Sequence, residues 1–89
     1  MKLNEKYLPI GTVVKLQGLS KKIMITGFLI IEKNSEKTVW DYSGCLFPEG
    51  IVISERAALF NHSQIEKIEH IGYIDEEEKK FKEELKEKQ

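Results

Sequence analysis

Apolar residues along the chain come in short runs separated by Gly, Pro and polar clusters, which is how strands and turns are written in a sequence. Leu8-Pro9-Ile10-Gly11 is a turn-like lead-in, because Pro9 pushes Leu8 towards extended geometry and cannot continue a helix. Residues 1–7 before it read as loosely held. Thr12-Val13-Val14-Lys15-Leu16 predicts a half-buried first strand, with Ile10, Val14 and Leu16 on one face and Val13, Lys15 and Gln17 on the other. Gln17-Gly18-Leu19-Ser20 leads onward, with Gly18 as its positive-φ residue.

Residues 21–32 form the longest apolar run and are rich on both faces, with Ile23, Ile25, Leu29 and Ile31 alternating against Met24, Phe28 and Ile30. A strand that bends sharply can offer one face to the core early and the other late, and Gly27 is where that bend is expected. β-branched enrichment and the central glycine weigh against a buried helix. A polar hairpin loop over residues 33–37 returns the chain into a strand over 38–47.

Trp40-Asp41-Tyr42-Ser43-Gly44-Cys45-Leu46-Phe47-Pro48-Glu49-Gly50 concentrates the only Trp and the only Cys. Trp40, Tyr42, Leu46 and Phe47 read first as core, Trp40 and Leu46 ahead of Tyr42, because the polar ends of Tyr42 and Asp41 need water or a partner. Gly44 marks a bulge or a close backbone approach, splitting the segment between two walls of a small barrel. Phe47-Pro48-Glu49-Gly50 closes it as a turn of type II character, with Gly50 at positive φ.

Ile51-Val52-Ile53 is a short apolar run, Ser54-Glu55-Arg56-Ala57-Ala58 is open between loop and helical turn, and Leu59-Phe60 points inward. Asn61-His62-Ser63-Gln64 has the composition of a 3₁₀ or capping turn. Ile65, Ile68 and Ile71 are spaced by three, as in a helix, whereas Ile68, Gly72 and Tyr73 suit a closing strand; a final strand over 66–72 is the reading taken. Asp75 as N-cap, Glu78 three residues on and lysines later predict a helix over 76–86. Its stripe is thin, Phe81 and Leu85 extended by Ile74. At about 1.5–3 kcal/mol per buried side chain it can dock the helix but not support a large interface.

The fold expected is therefore mainly β with a C-terminal helix: a small, SH3-like, strongly bent five-stranded barrel over residues 1–74, and a helix over 75–89 packed on or beside it. Eighty-nine residues, 40% hydrophobic and 33% charged, fit one domain with a limited core. No apolar run reaches the roughly 18 residues of a membrane span, and Met1-Lys2-Leu3-Asn4-Glu5-Lys6 lacks the apolar stretch of a signal peptide. A cytoplasmic protein without a membrane partner is expected. One cysteine makes no internal disulfide, and Cys45 is most simply a small core residue.

Net charge is −1, and residues 1–74 carry nine Lys/Arg against eight Asp/Glu while 75–89 carry five against seven. Without a concentrated positive field, nucleic acid is not an expected partner. Cys45, His62, His70, Asp41 and Glu49 are the side chains that could do chemistry. Nothing in their spacing selects a Cys-His pair, and Cys45, His62 and His70 fit no zinc motif. Phosphate loops, nucleophile elbows and dinucleotide fingerprints are also missing from the sequence. No catalytic residue, cofactor or metal is predicted; His62 reads as a turn residue bonded to nearby backbone, and His70 as an exposed strand residue.

Leu8-Pro9-Ile10-Gly11-Thr12-Val13-Val14, Asp41 to Gly50, Phe60-Asn61-His62-Ser63-Gln64-Ile65 and Gly72-Tyr73-Ile74-Asp75-Glu76-Glu77 together resemble a small domain of unknown function, of the DUF4176 type, found in Gram-positive bacteria beside type VII secretion systems and their LXG-type toxins. Phe47 stands where that family often has Tyr, which removes a hydroxyl. The resemblance implies a cytoplasmic chaperone or targeting adaptor that binds a secreted toxin before export, with an immunity protein as the alternative; a homo-oligomer stays open. It also implies that Asp41, Asn61 and His62 hold the loops that shape the binding surface. An incompletely paired strand edge could accept a partner segment, anchored by an aromatic surface of Trp40, Tyr42 and Tyr73.

Overall fold

The computed structural model describes residues 5–31, 38–51 and 57–88. Strands β1 (Val13–Leu16), β2 (Lys22–Ile31), β3 (Val39–Phe47), β4 (Ala58–Phe60) and β5 (Ile65–His70) precede one helix, α1 (Glu76–Glu87). All five strands pair antiparallel in one sheet of order β4-β3-β2-β1-β5. The sheet ends at β4 on one side and at β5 on the other, so it does not close into the expected barrel. The polar loop predicted over residues 33–37 and the readings of residues 52–56 lie outside the described residues.

One face of the sheet carries the core: Val14 and Leu16 from β1, Ile23 and Ile25 from β2, Tyr42 from β3, Phe60 from β4, and Ile65 and Ile68 from β5, with Leu8 closing one end. Each apolar side chain fully buried there contributes about 1.5–3 kcal/mol relative to exposure. Their spacing is irregular for a measurable reason. In β2 the register against β3 slips between Ile25 and Gly27, so Ile23 and Ile25 face the core before the slip and Phe28 packs against it afterwards. That is the bend expected at Gly27, where a Cβ would meet the Ser43 Oγ at 2.6 Å.

The same device explains β5. Two register shifts against β1 each insert one residue, so Val14 pairs Ile68 while Leu16 pairs Ile65. A bulge adds a residue without turning the strand over. Ile65 and Ile68 therefore share a face at a spacing of three, which in sequence imitates a helix.

Gly44 is a close approach, as its place in the run suggested: a Cβ there would lie 2.7 Å from the Met24 carbonyl oxygen and 3.2 Å from the Phe60 ring. Gly50 has φ +77, as expected, and its N–H donates to the Leu46 carbonyl four residues back, a wider closure than the type II turn expected; the Phe47–Pro48 peptide is cis. Lys21 reaches this turn, and its ammonium 2.6 Å from the Glu49 carboxylate holds that carboxyl below the usual range.

Burial along β3 inverts the sequence reading. Leu46 and Phe47 are exposed and Trp40 only half-buried, whereas Tyr42 is completely buried. Cys45 is buried, as expected of a small core residue. Ile10 is exposed rather than on the inner face, and Tyr7 is enclosed although the lead-in read as loose.

Candidate functional site

Tyr42 is enclosed because its hydroxyl is fully met. The backbone N–H groups of Tyr7 and Leu8 donate to it at 2.9 and 3.2 Å, and it lies 2.7 Å from Nδ1 of His62. A phenol oxygen has two lone pairs and one proton. Two amides occupy the lone pairs, so the proton goes to His62 Nδ1, which fixes His62 as the tautomer protonated on Nε2. Burial pushes the Tyr42 phenol up to about 12, against the lowering effect of the Leu8 and Tyr7 amides. It is a neutral hydrogen-bond hub that ties the lead-in to β3.

Asp41 and Asn61 complete the junction. The Asp41 carboxylate accepts the His62 backbone N–H at 2.9 Å and lies 3.2 Å from the Lys6 ammonium. Its backbone N–H donates to Asn61 Oδ1 at 3.0 Å, and Asn61 forms a capping box with Gln64 at the 3₁₀ turn His62–Gln64. The structure thus brings Asp41, Asn61 and His62 into one bonded group at the β4–β5 connection. The His62 ring reaches the Tyr42 hydroxyl on β3, a partner twenty residues away in sequence. Cys45 sits opposite Met24 within the β2–β3 ladder and His70 is exposed on β5. No group of three or more His, Cys, Asp or Glu among the described residues is placed to hold a metal ion.

By securing Tyr7 and Leu8, the junction builds one wall of a groove. The opposite wall is α1, which starts where Asp75 accepts the Glu78 N–H at 2.8 Å. A crossing at Gly72 sets the distance between the walls: its N–H donates to the buried Thr12 hydroxyl at 3.0 Å, and a Cβ there would collide with the Ile10 backbone. Phe28 forms the floor, with ring centroids 6.2 Å from Tyr7 and 5.9 Å from Phe81. Leu85 is buried against the body and Lys82 reaches Glu5 at 3.4 Å, so the thin stripe predicted for the helix does dock it.

The groove so enclosed is open to solvent and has a volume of about 530 Å³. Its walls are mainly apolar, yet Tyr73 is 79% exposed, and Ile10 and Phe81 are each about half exposed. Of the aromatic surface expected from Trp40, Tyr42 and Tyr73, only Tyr73 lies here. Tyr42 cannot belong to a docking surface because none of it reaches solvent, and Trp40 stands opposite Ile30 in the β2–β3 ladder. Tyr7, Ile10 and Phe28 were not legible as groove residues, since nothing in their local sequence links the lead-in to the centre of β2.

These features define a small open antiparallel β-sheet domain with a helix docked across one end and an apolar groove at the joint. Residues 7–81 match the family described as domain of unknown function DUF4176, and the chain belongs to that family. No curated protein and no solved structure matches it significantly. Among the described residues, no helix is long and apolar enough to cross a membrane.

Proposed function

We propose that this domain is a non-catalytic, cytoplasmic protein-binding factor, a chaperone or targeting adaptor for a type VII secreted LXG toxin. The observation that supports it is the groove beside α1, which leaves Tyr73, Ile10 and Phe81 in water on a chain whose core is small. Such contiguous apolar surface is costly for solubility and marks interaction sites. The hydrogen-bonded junction beneath it supports the same reading, because it holds the groove wall in place. On this reading the bent sheet serves as an SH3-like scaffold for recognition.

The test is to mix the purified full chain with the export domain of the LXG toxin encoded beside it and follow complex formation by calorimetry. A stoichiometric complex, together with loss of toxin export when the gene is deleted, is the expected result. No complex would overturn the proposal. Protection of a cell from the toxin, with export unaffected, would replace it with the immunity role.

A further inference from the structure

We propose that the groove beside α1 takes an amphipathic helix of the partner protein, apolar on the face it inserts and carrying a Lys or Arg towards the N-terminal end of α1. The inference rests on the binding role above and names the chemistry of what is bound. Two independent features of the groove lead to it.

The first is the source of its walls. They come from the lead-in segment, Phe28 of β2, the link after β5 and one face of α1, and neither terminal strand of the sheet, β4 or β5, contributes. An extended segment lying there would lose water from its backbone N–H and C=O groups without meeting either terminal strand, at a cost of a few kcal/mol for each group left unpaired. A helix satisfies those groups internally and presents only side chains. The edges themselves are poor acceptors for a strand: β4 has three residues, and β5 is twice bulged and carries exposed Glu66, Lys67 and His70. Short, charged and bulged edges discourage strand addition.

The second is charge. Asp75, Glu77 and Glu78 line the groove against a single cation, Lys82. Lys82 is paired with Glu5, Lys79 with Glu76 and Lys86 with Glu83, and among the described residues neither Glu77 nor Glu78 has an ion-pair partner. The helix N-terminus offsets only about half a charge. The mouth is therefore negative beside an apolar floor, and the complementary ligand is apolar with a positive group at that end. Along α1 the lining runs from Glu77 to Leu85, about 12 Å at 1.5 Å per residue, which matches roughly two turns of a partner helix.

The experiment uses the full chain and the toxin export domain. Tyr73→Ala, at a position too exposed to support the fold, is expected to weaken binding about tenfold or more, as loss of an aromatic anchor does. Glu77→Lys is expected to weaken it and flatten its salt dependence, while Ile31→Ser, on the exposed far end of β2, leaves affinity unchanged; circular dichroism confirms that all three are folded. A photo-crosslinker at position 73 is expected to capture a helical toxin segment with a basic residue. Unchanged affinity in Tyr73→Ala and Glu77→Lys, with wild-type binding intact, overturns the inference and leaves the binding role standing. Capture of a second copy of this chain, or of an extended segment, also overturns it. If the wild-type chain binds no toxin, the binding role itself falls and this inference with it.

Discussion

Tyr42 and Tyr7 make opposite predictions from the same chemistry. Removing the Tyr42 hydroxyl leaves the Tyr7 and Leu8 amides without their acceptor, and each buried unsatisfied group costs about 1–3 kcal/mol. Tyr42→Phe is therefore expected to destabilise by about 2–4 kcal/mol, lowering Tm by roughly 10 °C or more in thermal melts. The Tyr7 hydroxyl is buried and has no hydrogen-bond partner among the described residues. Tyr7→Phe is accordingly expected to be neutral or to stabilise by up to about 1 kcal/mol; a loss as large as that of Tyr42→Phe would refute this account of the junction. ¹⁵N spectra should show His62 protonated on Nε2, and a proton on Nδ1 at neutral pH would contradict the donor count.

The phenol of Tyr42 also sets an alkaline limit. Its pKa is raised to about 12 in the folded chain, from 10.0. The folded state then holds the proton more tightly than the unfolded state, so stability is full below about pH 10 and falls as pH rises towards 12. Two units correspond to a loss on the order of 3 kcal/mol. Urea midpoints at pH 9 and pH 11.5 measure it, and Tyr42→Phe should abolish this component.

At the scale of elements, the helix and the bulges behave differently. The α1 helix is twelve residues long, marginal by itself, and depends on its cap and on Phe81 and Leu85. Asp75→Ala removes the acceptor for the Glu78 N–H and is expected to cost about 0.5–2 kcal/mol, seen as faster amide exchange at Glu78 with core strand amides little changed. Gly72→Ala acts on the crossing that spaces lead-in from helix, and a Cβ there meets backbone, which cannot rotate away. A loss of about 3 kcal/mol or more is expected from denaturant titration, in the range of severe packing errors.

The helix was legible because its cap, acidic first turn and apolar pair are local. The strand over residues 65–70 was ambiguous because its bulges are decided by the neighbouring strand: one inserted residue converts a period of two into a period of three. β4 was harder still, since three residues hold too little pattern to distinguish from a loop, and pairing with Tyr42, Ser43 and Gly44 makes them a strand.

At the scale of the molecule, pattern gave five strands and a helix but overstated closure. A bent, glycine-punctuated sequence is compatible with a barrel or with an open curved sheet, because closure is a property of the first and last strands' pairing and is not encoded in any one run. Asp41, Asn61 and His62 were grouped through family resemblance, whereas the Tyr42 hydroxyl, which bonds His62 and the lead-in, was left between core and surface by the sequence. A tyrosine's inside or outside position turns on whether acceptors and donors 20 or more residues away arrive at its oxygen.

The sequence by itself determined the order and type of most elements, the helix start at Asp75, the 3₁₀ turn after Asn61 and the positive φ of Gly50, since each depends on interactions a few residues apart. Tertiary structure alone decided that the sheet stays open, that Tyr42 rather than Leu46 fills the core, and that Tyr7, Ile10, Phe28, Tyr73 and Phe81 meet around one groove. Those outcomes depend on backbone groups and rings brought together from separate elements, and the free energy of such encounters is not written in the local pattern of any of them.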